Sequence, residues 1–106
     1  MKLVDFKMEE WDGKYSIIHE DNIIKILLLN LKNISGLKKD GRKNIVCVDN
    51  HMNIIWIVSA PKLAREFGYF WGVKFEENKI VGWYGGSNWV QIDINNGNII
   101  TEEFVK

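Results

Sequence analysis

The 106 residues hold one cysteine, one proline and two histidines, and their positive and negative charges cancel at fourteen each. A lone Cys47 excludes an intrachain disulfide. Its setting, Ile45-Val46-Cys47-Val48, reads as a strand interior where the thiol serves as a small buried hydrophobe. Zero net charge leaves no global field to hold nucleic acid or an anionic membrane by charge neutralisation. The longest apolar stretch, Ile23 to Leu31, contains Lys25 and is far shorter than the roughly 20 residues that span a bilayer. Met1-Lys2-Leu3-Val4-Asp5 reaches an acidic residue before any apolar run, so no secretory leader is expected and the chain is placed in the cytoplasm.

Helical periodicity is also scarce. In its place are short apolar segments closed by polar turns, marking strands at about Leu3 to Met8, Tyr15 to His19, Ile23 to Leu31, Asn44 to Asp49, Ile54 to Ser59, Phe70 to Glu76, Lys79 to Tyr84, Trp89 to Ile94 and Ile99 to Phe104. Trp71, Val73 and Phe75 alternate with Gly72, Lys74 and Glu76, which gives that strand one wet face, whereas Ile23 to Leu31 is apolar on both faces and belongs at the centre of a sheet. Asp49 to Asn53, Glu76 to Lys79 and Asn95 to Asn98 offer the Asn, Asp and Gly that tight turns need, and Lys39 to Arg42 joins two further segments in the same way. One short helix is expected at Pro61 to Phe67, with proline in its first turn and Gly68 after its end. The expected fold is all-β and mainly antiparallel, one domain over residues 1–106, built from meander hairpins as a β-sandwich or a partly closed barrel.

Val48-Asp49, a turn and Asn53-Ile54-Ile55 are echoed by Ile92-Asp93, a turn and Asn98-Ile99-Ile100. An aspartate before a hairpin turn bonds turn amides, so the echo has a structural reading that needs no ligand. His19 and His51 fall in turn regions. As an acid–base pair they would predict ribonuclease activity lost on replacing either, but a solvated imidazole is the plainer reading. Gly85-Gly86-Ser87-Asn88 lacks the lysine and following helix of a phosphate loop and reads as a hairpin connection. No catalytic residue, metal site or cofactor is expected.

Eight of the thirteen aromatic residues lie between Phe67 and Trp89, and adjacent pairs such as Phe70-Trp71 and Trp83-Tyr84 cannot all point inward. Some of these rings must reach the surface, where Trp and Tyr beside carboxylates anchor protein interfaces. The candidate partner-binding residues are therefore Tyr69, Trp71, Glu76, Glu77, Trp83 and Tyr84, together with Glu9, Glu10, Trp11 and Asp12. The last four form an acidic loop around a tryptophan that suits the basic cleft of a nuclease.

The segments Asn44 to Ile57, Phe70 to Trp83 and Ile92 to Phe104 resemble small bacterial β-meander proteins whose strands are similar to propeller-blade sequences. Met52 departs from that pattern, standing where a turn glycine would be expected. The resemblance implies an immunity-type protein of a polymorphic or contact-dependent growth inhibition system. Such a protein is not an enzyme; it binds a cognate toxin domain, possibly a basic nuclease, and blocks its cleft. The alternative is a β-sheet module that binds a small ligand or carbohydrate by stacking on tryptophan.

Overall fold

The computed structural model describes residues 1–7, 11–32, 43–59, 69–85 and 88–104. Eight strands follow in chain order: β1 Trp11–Glu20, β2 Ile24–Leu31, β3 Ile45–Asp49, β4 Ile54–Ile57, β5 Phe70–Glu76, β6 Lys79–Tyr84, β7 Asn88–Ile92 and β8 Ile99–Phe104. They pair antiparallel in two four-stranded meanders, β1-β2-β3-β4 and β5-β6-β7-β8. Neither sheet closes on itself. The sheets pack as a sandwich, because every strand offers an apolar face that must be covered and sequential hairpins bring neighbours together at little loop cost.

Between the sheets lies a core of Ile26, Ile45, Cys47, Trp56 and Val58 from the first sheet and Phe70, Ile80, Tyr84, Val90 and Ile92 from the second. The opposite face of the first sheet carries a second cluster, Leu27, Leu29, Val46 and Val48, covered by Leu3 with Phe6 packed beside it. β2 is thus apolar on both faces and central, as its composition predicts. The expected strand over Leu3 to Met8 is corrected: Leu3–Asp5 forms a single 3-10 turn. Leu3 and, three residues on, Phe6 press onto the sheet while Val4 stays exposed, with the Leu3 N–H donating to Met52 O at 2.8 Å and the Ile54 N–H to Met1 O at 2.7 Å. The helix expected at Pro61 to Phe67 and the turn at Lys39 to Arg42 lie outside the described residues.

Polar bonds pin one sheet to the other. Asn44 is 1% exposed, yet its side chain behaves like a strand partner: Nδ2 donates to Phe70 O at 2.7 Å and Oδ1 accepts the Phe70 N–H at 2.9 Å. A buried amide is tolerated because both ends are bonded. At the far edge the Trp56 indole N–H donates to Ile94 O at 2.8 Å, and the Ser59 N–H donates to Gly97 O at 3.0 Å.

The sequence echo is a structural repeat. In the β3–β4 turn the Asp49 carboxylate accepts the N–H groups of His51 and Asn53 at 2.8 and 2.9 Å, and Met52 takes φ +64°. In the β7–β8 turn, one residue longer, the Asp93 carboxylate accepts the Asn95 N–H at 2.8 Å, and Gly97 takes φ +77°. Beyond each turn the second isoleucine is a bulge. Ile54 faces Val48 and Trp56 faces Cys47, leaving Ile55 over; Ile99 faces Ile92 and Thr101 faces Gln91, leaving Ile100 over. The match extends backward through Asn44-x-Val46-x-Val48-Asp49 and Asn88-x-Val90-x-Ile92-Asp93, whose asparagines are the two buried polar residues among those described.

Faces follow from this register. Val46 and Val48 point to the outer cluster of the first sheet, whereas their counterparts Val90 and Ile92 point into the shared core. The two meanders are therefore stacked in the same sense, the second presenting to the first the face that the first turns away from it.

Candidate functional site

The β1 and β5 edges and the strand ends beside them gather the candidate residues that the structure brings together. Ser16, Leu28, Leu29, Asn30, Leu31, Asn44, Tyr69, Phe70 and Trp71 line a shallow cleft of about 120 Å³ there. Asp12 reaches it through Asn30, whose Nδ2 donates to Asp12 Oδ2, and the other carboxylate oxygen accepts the Lys14 N–H at 2.8 Å. The Lys14 backbone bond first, and the Asn30 amide after it, hold the Asp12 carboxyl below the ordinary carboxylate range, so it is anionic at neutral pH.

Trp71 is 53% exposed because a bulge in β5 takes it out of the alternation: Phe70 faces Tyr84 and Gly72 faces Trp83, with Trp71 left between. Its indole N–H donates to Gly85 O at 2.9 Å, which fixes the ring on the surface. The ring of Trp83 lies 6.0 Å from it, and Lys74 Nζ sits 5.9 Å from the Trp83 centroid. Tyr69 is half-buried on the cleft wall, and its carbonyl accepts the Gly85 N–H at 3.0 Å. An exposed aromatic shelf on a cleft that also holds the Asn30 amide, itself bonded to a fixed carboxylate, can stack on an apolar or cationic side chain and offer polar groups to it.

Two expectations are corrected, and one pair of candidates lies apart from the cleft. Tyr84 is not a surface contact: it is 1% exposed, with its ring edge-on to Phe70 at 4.9 Å, because the β5 bulge turns Trp71 outward while Tyr84 stays in the core register. Trp11 and Asp12 lie on β1 and not in a loop; Gly13, at φ +87°, marks a shift of register within the strand. Trp11 is half-buried, 6.2 Å from Phe6, and donates to Lys14 O at 2.7 Å. Glu76 and Glu77 are exposed but sit at the opposite end of β5, where Glu77 and Asn78 form the two-residue turn at φ +52° and +61° and Glu76 pairs with Lys74 at 3.1 Å. Glu9 and Glu10 lie outside the described residues.

The histidines are occupied separately. His19 stacks on Phe75 with centroids 3.9 Å apart and lies 3.1 Å from Asp21, while the His51 N–H is held by Asp49. Cys47 is buried, and loss of hydration pushes its thiol up to about 11, so it is unreactive at neutral pH. Asn30 and Asn44 line the cleft without having been singled out. Asn30 carried a signal, being the one polar residue in Leu27-Leu28-Leu29-Asn30-Leu31.

Fold and site together define a β-sandwich of two stacked four-stranded meanders with an aromatic and amide-lined surface at one side. The chain belongs to the family described as a domain of unknown function, DUF7957, whose model matches residues 13–104. No curated protein and no solved structure matches the chain. Among the described residues no helix is long and apolar enough to cross a membrane.

Proposed function

We propose that this chain is a non-enzymatic binding protein, an immunity-type inhibitor that engages a cognate toxin domain in the cytoplasm through Trp71 and the neighbouring Tyr69, Asn30 and Asp12. The observation that carries the reading is the exposed, hydrogen-bonded Trp71 on a cleft whose Asn30 bonds an anionic Asp12. A rigid aromatic ring is the kind of anchor that dominates interface energetics, and a carboxylate held at the same cleft through an amide suits a basic partner such as a nuclease domain. A tagged chain and its Trp71→Ala variant, each incubated with lysate of the source cells, test it. The expected result is one stoichiometric toxin-like protein held by the parent chain and lost from a variant that melts at the same temperature. Equal capture by both, or recovery of the parent chain alone while the candidate toxin is expressed, would contradict it.

A small-ligand or carbohydrate module is the second reading, favoured by the cleft beside Trp71. At about 120 Å³ that cleft is well under the roughly 300 to 1,000 Å³ of ordinary ligand pockets, which ranks a protein partner first. Saturable quenching of tryptophan fluorescence by an oligosaccharide, absent in Trp71→Ala, would reverse the ranking.

A further inference from the structure

The two repeated turns differ in chemical reactivity. Of the eleven asparagines in the chain, only Asn96 is followed by glycine. At such a pair the glycine backbone nitrogen can attack the asparagine Cγ, because no Cβ hinders the approach and the glycine backbone bends freely. The N–H proton passes to solvent, the N–Cγ bond forms and the side-chain nitrogen leaves as ammonia; water then opens the cyclic imide. Opening at one carbonyl leaves an ordinary aspartate. Opening at the other leaves isoaspartate, in which the main chain runs through the former side chain and is one methylene longer. The β3–β4 turn has His51 before its left-handed Met52 and so lacks the reacting carboxamide.

In the folded chain both reacting groups are held. Asn96 is exposed to water, whereas Gly97 is buried. The Gly97 N–H donates to Asp93 O at 2.8 Å, which engages the proton that must leave before the nitrogen can attack. Asn96 Oδ1 accepts the Asn98 N–H at 2.8 Å, which fixes the carboxamide. Gly97 O accepts the Ser59 N–H, and the Trp56 indole N–H reaches Ile94 O, so the turn is fastened to the first sheet from both sides.

We propose that Asn96-Gly97 is a modification site gated by the fold: closed while the β7–β8 turn is seated on Trp56, open to spontaneous deamidation when the turn lifts, and barred from reseating once isoaspartate has formed. The bar follows from space. A Cβ on Gly97 would already stand 2.5 Å from Trp56 Cε3 and 3.1 Å from Ile57 O, so a main chain lengthened beside it does not fit. The aspartate product keeps an oxygen for the Asn98 N–H and fits the turn. This inference goes beyond the proposed inhibitor activity. Phe70, on the cleft, is level with Asn88 at the start of β7 through Tyr84, whereas the turn follows the other end of β7 at Ile92, so modification and partner capture are read separately.

Peptide mapping by mass spectrometry tests it on the full chain, aged folded in buffer and unfolded in urea at one mildly alkaline pH. In urea Asn96 is expected to be the first asparagine converted to an acid. In the folded chain its rate is expected to be lower by at least about tenfold, because reaction waits on the population of the lifted turn. Trp56→Phe keeps a ring over the turn but loses the bond to Ile94 O, and is expected to age faster than the parent in buffer. The parent's own folded-to-unfolded ratio stands even if that variant folds poorly. The isoaspartate form, separated chromatographically and refolded, is expected to melt at least about 4 °C below the parent. Equal rates in buffer and urea, another asparagine reacting first in urea, or an isoaspartate form that melts with the parent would overturn the proposal.

Discussion

The β3–β4 and β7–β8 hairpins follow one path with different residues at its tightest point. Each begins with an aspartate whose carboxylate collects turn amides and ends in a one-residue bulge, and each passes through a left-handed residue, Met52 in one and Gly97 in the other. What lies above the turn decides the choice. A Cβ on Gly97 would stand 2.5 Å from Trp56 Cε3, because this turn is pressed under the indole that joins the two sheets. Met52 faces the outer cluster of the first sheet and packs its side chain there. The left-handed cost of a non-glycine residue, of order 1 kcal/mol, is offset by apolar burial at about 25 cal/mol per Å². The aspartate and the bulge set the backbone; packing sets the residue.

The largest effect on this comparison is expected from Gly97→Ala, which meets both the φ requirement and the Trp56 ring and should cost about 3 kcal/mol or more in urea unfolding. A loss under about 1 kcal/mol would mean that the turn is not seated beneath Trp56. Asn44→Ala removes the inter-sheet bonds and leaves the Phe70 N–H and C=O buried without that partner, so about 2 to 3 kcal/mol should be lost. At the other hairpin, Met52→Gly should be more stable than Met52→Ala by about 1 kcal/mol, since both lose the side chain but only alanine retains the strain. Equal stabilities would show that φ at Met52 costs nothing.

The smallest effect is on pH dependence. Accepted N–H bonds hold Asp49 below its ordinary carboxylate range, the Asn53 backbone bond first, and Asp21 likewise through the Ile24 and Ile23 amides. A carboxyl whose folded pKa is depressed contributes stability that is fully present above its unfolded value of about 4 and is lost as pH falls through the depressed folded value. The melting temperature should be flat from about pH 7 to 5 and fall below about pH 4. Asp49→Asn, whose one carbonyl oxygen can still accept the His51 and Asn53 backbone N–H groups without titrating, should make that fall shallower; an identical acid profile would deny the carboxylate its role.

Most of the fold was legible because alternation and turn chemistry are local. β5 and β7 can be read from residues that switch between apolar and polar every second position, and β2 from apolar residues on both faces. Alternation failed where the backbone breaks its own period. The β5 bulge at Trp71 decides that Trp71 points out and Tyr84 in, and nothing in the local pattern of Phe70-Trp71-Gly72 announces it. Trp11 and Asp12 read as loop residues in the sequence, yet they lie on β1, where Gly13 marks a shift of register. Asp12 and Tyr69 share a site only through the stacking of two sheets, which no window of sequence spans. The repeat was half visible: the Asp-turn-Asn-Ile-Ile echo is plain, but its extension to Asn44 and Asn88 acquires meaning only once both amides are found buried.

The account rests on the second sheet covering the Ile26, Ile45 and Trp56 face of the first, while the corresponding face of the second, with Trp83 and Trp89, has no described element packed on it. Hydroxyl-radical footprinting of dilute protein, with oxidation of each tryptophan read by mass spectrometry, tests this most directly. The account predicts that Trp71 is oxidised fastest, that Trp83 and Trp89 follow, and that Trp56, 6% exposed beneath the β7–β8 turn, is protected until the protein unfolds. Protection of Trp83 and Trp89 at the lowest concentration, with Trp56 oxidised as fast as Trp71, would mean that the stacking is the other way round.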